Sequence, residues 1–233
     1  MLTQLTPRVM PTERAPWRAL VASLQQEFPF NMPNADDPLS HYGLINAVAA
    51  CAEEDAIITT DVGQHQMWTA QAYPLRRPRQ WLTSGGLGTM GFGLPAAIGA
   101  ALAEPDRQII CFSGDGSLMM NIQEMATAAE NGLNIKVILM NNQALGLVHQ
   151  QQSLFYKQNV FEATYPGMVS FIKIAEGFGM SSCDLNEAQD PQAALREAMA
   201  RPGPCLIHVR IDAQEKVYPM VPPGAANTEM VGE

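Results

Sequence analysis

Cysteine is scarce in this chain and never clustered. Its four copies, Cys51, Cys111, Cys183 and Cys205, show no CxxC spacing, which argues against a disulfide framework or a zinc site. Cys111 and Cys205 lie in apolar, strand-like runs and read as buried reduced thiols. No apolar run approaches the roughly 18 residues of a membrane helix. Basic residues are also short: 14 Lys and Arg face 23 Asp and Glu, a net charge of −9. That balance argues against nucleic acid and anionic membrane surfaces as partners and suits a soluble cytoplasmic enzyme. A basic stretch followed by an apolar one is missing from the first residues, so no secretory signal is expected. Internal repeats and low-complexity segments are absent too.

What is present is an α/β rhythm, and 47% hydrophobic residues over 233 positions are enough for one sizeable core. The organising stretch is 109–142. An apolar run, 109–112, delivers the turn Ser113-Gly114-Asp115-Gly116-Ser117. A helical pattern follows through Ile122, Met125, Ala126 and Ala129, and stops near Asn131-Gly132. A second apolar run, 137–140, ends in Asn141-Asn142. Strand, turn, helix and strand make a βαβ unit with a parallel sheet. Asp115 and Asn142 then sit at the carboxyl ends of strands, where open α/β sheets bind ligands.

Those residue types suit a metal bound to a diphosphate. Mg²⁺ takes about six oxygen ligands near 2.1 Å, commonly one or two carboxylates plus phosphate oxygens. Asp115 offers a carboxylate oxygen, Asn142 an amide oxygen and Ala144 a backbone carbonyl. Gly114 and Gly116 let the backbone approach a phosphate, and the amides opening the next helix favour anions. The plain alternative is that Gly-Asp-Gly is a tight turn and Asn-Asn a strand-end cap.

The spacing narrows this choice. Between GDG and NN lie 24 residues, from Ser117 to Met140, room for one helix and one strand. This resembles the signature of thiamine-diphosphate enzymes. Asp61-Val-Gly-Gln-His-Gln-Met-Trp68, Ser84-Gly-Gly-Leu-Gly-Thr-Met-Gly91 and Gln150-Gln-Gln-Ser-Leu-Phe-Tyr156 resemble the acetohydroxyacid (acetolactate) synthases, nearest the isozyme I type of catalytic subunit. The resemblance runs from about Pro38 to the C-terminus.

It implies a function: pyruvate decarboxylation and ligation to a second 2-keto acid, pyruvate or 2-ketobutyrate, in branched-chain amino acid biosynthesis. It also implies that thiamine diphosphate is held by Val62, Gly63, Gln64, His65, Gly88, Met90, Gly114, Gly116, Ser117, Gly146 and Leu147, with Mg²⁺ on Asp115, Asn142 and Ala144. Gln64 and His65 would reach the diphosphate. Met90 would wedge beneath the cofactor and bend it, a task for a soft, unbranched side chain. Gln151 departs from the family, many members of which carry tryptophan there to favour 2-ketobutyrate. Losing an indole predicts a weak preference, since one methylene is worth only about 1–3 kcal/mol in a pocket.

The carboxylate that activates the cofactor's aminopyrimidine belongs, in that family, to an N-terminal domain of the partner subunit, and FAD to a middle domain. Neither is recognisable here, and Glu53, Glu54 and Glu124 do not match the missing motif. The expectation is therefore the diphosphate-binding portion of the enzyme, inactive without the missing N-terminal domains, a homodimer partner and a small regulatory subunit. Rival expectations are another carboligase or decarboxylase, such as glyoxylate carboligase, or a non-catalytic assembly fragment.

Around this core, the expected fold is an open, doubly wound, mostly parallel sheet over 39–213. Residues 1–38, with six prolines and one amphipathic stretch at 17–28, read as a linker and the end of a preceding domain. Helices are predicted at 41–52, 64–72, 92–103, 169–178 and 191–199, and strands at 56–60, 81–83, 182–185 and 205–211. Arg76, Arg77 and Arg79 read as a solvated loop. Residues 143–167 read as a long polar connection of functional kind. The segment 214–233 lacks any period and is expected to be a mobile tail.

Overall fold

The computed structural model describes residues 2–9 and 12–232, which divide into two units, Met1–Met32 and Pro33–Glu233. The first carries the one-turn helix α1 (Leu2–Leu5) and α2 (Ala15–Glu27). Pro16 sits in the first turn of α2, where its missing N–H costs no hydrogen bond. Every residue of α2 is exposed, including the apolar stripe of Trp17, Leu20 and Leu24.

The second unit alternates helices and strands: α3 (His41–Cys51), β1 (Ile57–Thr60), α4 (Gln64–Ala72), β2 (Trp81–Thr83), α5 (Gly93–Ala103), β3 (Ile109–Gly114), α6 (Asp115–Leu118), α7 (Glu124–Glu130), β4 (Ile135–Asn141), α8 (Gly146–Phe155), α9 (Phe171–Gly177), β5 (Ser181–Asp184), α10 (Pro191–Ala200) and β6 (Cys205–Arg210). The six strands form one open sheet in the order β2-β1-β3-β4-β6-β5, every pair parallel. β3 and β4 are buried along their whole length, which is why they read as unbroken apolar runs and not as alternating ones. Ile57, Ile109, Cys111, Val137 and Leu206 turn one face to Leu94, Ala97, Ile98 and Ala101 of α5 and to Met125, Ala128 and Phe171. The opposite parity, with Ile58, Ile110 and Phe112, faces the α4 side, where the Tyr73 ring meets Phe112 edge-on with centroids 6.0 Å apart. The small residues of α5 let that helix lie close to the sheet. Among the described residues no helix is long and apolar enough to cross a membrane.

The strand order reverses between β1 and β3. β1 connects outward to β2 on one side and β3 to β4 on the other, so their carboxyl ends diverge and leave a crevice. One charge lies deep in the sheet: Lys136 on β4 is fully buried, and its ammonium donates to the Gly203 carbonyl at 2.7 Å and to that of Arg201.

Three segments differ from expectation. The stretch 143–167 contains a helix, α8, whose buried residues are His149 and Gln150; a helix that turns polar side chains inward has no apolar period to announce it. The helix expected after the GDG turn is split into α6, a 3₁₀ turn (Met119–Asn121) and α7. Asn121 Nδ2 reaches out of that break to the Gly91 carbonyl at 2.7 Å. The third is the segment from 214, which is docked at its start: Val217 is fully buried, and Met220 and Val231 form an antiparallel bridge. Its bonds run to side chains on α4 and α8 and not along a ladder, so no period marks it. Arg77 is exposed and pairs with Glu54 at 3.3 Å, in keeping with a solvated loop.

Candidate functional site

The crevice at the strand reversal is a cleft of about 230 Å³. Three strand-to-helix turns line it. Val62, Gly63, Gln64 and His65 follow β1; Gly114, Asp115, Gly116 and Ser117 follow β3; Asn142, Ala144, Gly146 and Leu147 follow β4. Gly88 and Met90 close one side. These fourteen predicted positions are brought together from across the unit. Gln151 is not among them: it is exposed on α8, one helical turn beyond Leu147.

Asp115 is the charged centre. Burial pushes its carboxyl up to about 6, against the backbone amides of Gly116, Gln143 and Ala144, which favour the ionised form. The Gly116 amide donates to Asp115 Oδ1 at 2.9 Å. Asn142 is oriented from both sides. Its Nδ2 donates to Gln64 Oε1 at 3.0 Å, and its Oδ1 accepts from the Ala144 amide at 3.1 Å, leaving one lone pair of that oxygen free. Among the described residues no three His, Cys, Asp or Glu gather anywhere. A cation here would therefore rest on one carboxylate, neutral oxygens and the ligand's own charge.

Two glycines are needed for closeness. A Cβ on Gly116 would lie 2.6 Å from the Tyr165 hydroxyl and 2.9 Å from Leu145 Cδ2. One on Gly146 would run into Gln64 Oε1 and stand 2.7 Å from Asn142 Nδ2. The backbone is thus bare where a ligand would touch it. His65 forms the floor. Among the described residues its buried Nε2 meets no hydrogen-bond partner, and burial lowers its pKa to about 3, opposed by a bond with the Asp61 backbone, so the imidazole is neutral.

Residues 61–209 match the family described as thiamine pyrophosphate enzyme, C-terminal TPP binding domain. The chain belongs to that family. Over its full 233 residues it is 76% identical to the acetolactate synthase isozyme 1 large subunit of Escherichia coli K12, of which it covers 42%. It is 41% identical over 221 residues, 95% of the chain, to the isozyme 2 large subunit of the same organism, covering 40% of it. To the chloroplastic acetolactate synthase 2 of Nicotiana tabacum it is 42% identical over 225 residues, 93% of the chain and 34% of that protein. Among solved structures it resembles the thiamine diphosphate-dependent 4-hydroxybenzoylformate decarboxylase of Rhodococcus jostii RHA1, with TM-score 0.67 and 31% identity over 76% of this chain and 32% of that one. The chain spans less than half the length of each of these relatives.

The cleft of this thiamine pyrophosphate domain fits a diphosphate group. It offers glycines bare of Cβ, a buried polar atom without a partner and a carboxylate that needs a countercharge. Several residues that hold the cleft together are not evident from spacing. Asp61, 1% exposed, accepts from the Gly91 amide at 2.7 Å and the Val62 amide at 3.0 Å, pinning the loop that carries Met90 to the end of β1. Burial raises its pKa, and bonds from Val62, Gly91, Gly93 and Ser113 oppose that. Gln64 Nε2 donates to Gln150 Oε1 at 3.0 Å and to the Glu215 carbonyl at 2.9 Å, tying α4 to α8 and to the C-terminal segment. Trp68, Met140, Leu145, Val148 and Ile211 complete the lining. Asp61, Gln64, Trp68 and Gln150 lie in runs that the sequence singles out, whereas Met140, Leu145, Val148 and Ile211 do not.

Proposed function

We propose that this chain is the cofactor-binding portion of an acetolactate synthase large subunit. The observation that carries the reading is 76% identity, along the whole chain, to such a subunit, with the predicted cofactor and metal positions gathered in one cleft. Asp115, the Asn142 amide oxygen and the Ala144 carbonyl would hold Mg²⁺. Gln64, His65 and the amides of Gly116 and Ser117 would receive the diphosphate, bounded by Val62, Gly63, Gly88, Gly114, Gly146 and Leu147. Met90, held through its neighbour Gly91 by Asp61, would support the rings.

Bound thiamine diphosphate would supply the electron sink that lets a 2-keto acid lose CO₂ and pass its remaining acyl unit to a second one. This chain's own residues orient that group. Asp115 holds the cation that neutralises its phosphates, the neutral His65 offers one ring nitrogen to a hydrogen bond, and Leu145, Leu147 and Val148 form an apolar wall. Pyruvate is the substrate expected in both roles, with 2-ketobutyrate an alternative acceptor past Gln151. Branched-chain amino acid synthesis, FAD, a homodimer partner, a small regulatory subunit and a cytoplasmic location belong to the complete subunit on this reading.

Calorimetric titration of the chain with thiamine diphosphate and Mg²⁺ tests the site. Asp115→Ala is expected to abolish the metal-dependent part, because it removes the only charged ligand. Unchanged affinity in that variant would take Asp115 out of the site.

A further inference from the structure

A second buried polar chain lies outside the cleft and leads into it. Across the register β5-β6-β4, His208 pairs with Asp184 on one side and with Leu139 on the other, two residues before Asn141. Asp184 Oδ2 lies 3.0 Å from His208 Nδ1, and His208 Nε2 lies 3.0 Å from Asn141 Nδ2. Asn141 Oδ1 in turn accepts from the Gln143 amide at 3.1 Å. The direction of every bond follows from the last. The Gln143 amide can only donate, so it meets the oxygen of Asn141 and the amide nitrogen faces His208. That NH₂ can only donate, so Nε2 accepts and the ring hydrogen sits on Nδ1, pointing at the Asp184 carboxylate. His208 and Asn141 are 7% and 8% exposed, so water has little access to the bond between them.

Gln143 is where the chain ends, and its backbone is unusual. At φ +55° it adopts a left-handed conformation that non-glycine residues avoid. Two bonds hold it there: Asn141 Oδ1 on its amide, and the Tyr165 amide on its carbonyl at 2.7 Å. The residues on either side are Asn142 and Ala144. The left-handed turn at Gln143 sets the direction of both.

We propose that His208 and Asp184 are positioning residues for the Asn142–Ala144 turn, acting through Asn141 to fix the two neutral metal ligands. The inference rests on the reading of Asn142 and Ala144 as ligands. A merely space-filling polar cluster would support the fold without touching metal affinity. A positioning chain must touch metal affinity as well.

The test is calorimetric titration of the 233-residue chain with Mg²⁺ at saturating thiamine diphosphate, beside thermal unfolding without either. His208→Leu leaves the Asn141 amide free to turn and is expected to weaken Mg²⁺ about tenfold. Asp184→Asn keeps the cap on the Asn186 amide but lets the ring tautomer exchange, and a loss of about threefold is expected. Asn141→Ala with His208→Leu should be no worse for Mg²⁺ than Asn141→Ala alone, since both act along one path. Should His208→Leu fail to fold, Asp184→Asn, on the partly exposed edge strand, carries the test. Parent-like Mg²⁺ affinity in the His208 and Asp184 variants, with Asp115→Ala still abolishing it, would overturn the inference and leave the site reading intact. So would losses that simply add in the double variant. Failure of the parent chain to bind, or full binding by Asp115→Ala, would overturn the site reading and this inference with it.

Discussion

Asp115 is a carboxylate kept where its charge is least welcome, 5% exposed at the end of a buried strand. Its folded pKa, about 6, lies above the ordinary 3.8, so the folded chain holds this proton more tightly than the unfolded one. Stability contributed by the group is therefore present in acid and falls as pH rises from about 4 through about 6. Above that window the empty site carries the full cost. Asp115→Asn should then make the metal-free chain more stable at pH 8 by about 1–2 kcal/mol, with the difference vanishing near pH 4. Urea midpoints at the two pH values check this, and an equal difference at both would mean that burial does not strain the charge. Gln151 makes a different residue-scale case. Its position four residues after the cleft-lining Leu147 puts it, exposed, on the same face of α8. In a completed enzyme, Gln151→Trp should raise the preference for 2-ketobutyrate by about tenfold, or 1.4 kcal/mol. Competition between the two keto acids measures it, and an unchanged product ratio would place residue 151 away from the acceptor. That Asp115 and Asn142 would meet at one cleft was legible because they stand at strand ends one helix and one strand apart. How Asp61, Gln150 and Tyr165 hold the cleft was not legible, because their bonds run to groups far away in the chain.

At the scale of elements, burial decided what could be read. β3 and β4 declare themselves as apolar runs because both faces are covered, and α5 does so by its run of small apolar residues. α8 is hidden by the same logic, since what it buries is Gln150. That side chain accepts from Gln64 Nε2 at 3.0 Å and the Val217 amide at 2.8 Å, and donates to the Val217 carbonyl at 3.0 Å. One glutamine thus joins α4, α8 and the C-terminal segment, and the segment's docking depends on it. Gln150→Leu would leave the buried amide and carbonyl of Val217 without partners and take from Gln64 Nε2 one of its two acceptors, the Glu215 carbonyl remaining. An unmet buried group costs about 1–3 kcal/mol, so a loss of about 2–4 kcal/mol is expected. The loss should be local as well as global: limited proteolysis should cut within 214–233 in the variant before it cuts elsewhere. Parent-like cleavage with parent-like stability would show that Val217 packing and the bonds from Gln64, Trp68 and Gln71 hold the segment without Gln150.

At the scale of the whole molecule the cleft holds few titratable groups. Among the described residues, Asp115 and His65 are the only ones lining it, and His65 is neutral. On the reading proposed above, Asp115 would be held by the cation and would not serve proton transfer on the cofactor. Beside the cleft, and sharing Asp115 and Gly116 with it, lies a second hollow of about 380 Å³. Met119, Met120, Met168 and Phe171 line it, and Met168 is 87% exposed. Apolar surface of this kind favours association. The purified chain, given pyruvate, thiamine diphosphate, Mg²⁺ and FAD, should form no acetolactate above background. It should also associate with itself as its concentration rises, visible as an increase in sedimentation coefficient. Supplying the N-terminal portion of a 76%-identical subunit should restore acetolactate formation and suppress that association together, because one surface is responsible for both. Turnover by the chain alone at a typical enzymatic rate, on the order of 10 s⁻¹, would mean that a proton-transfer group reaches the cleft from within these residues. Restored activity with undiminished association would separate the apolar hollow from the missing half of the site.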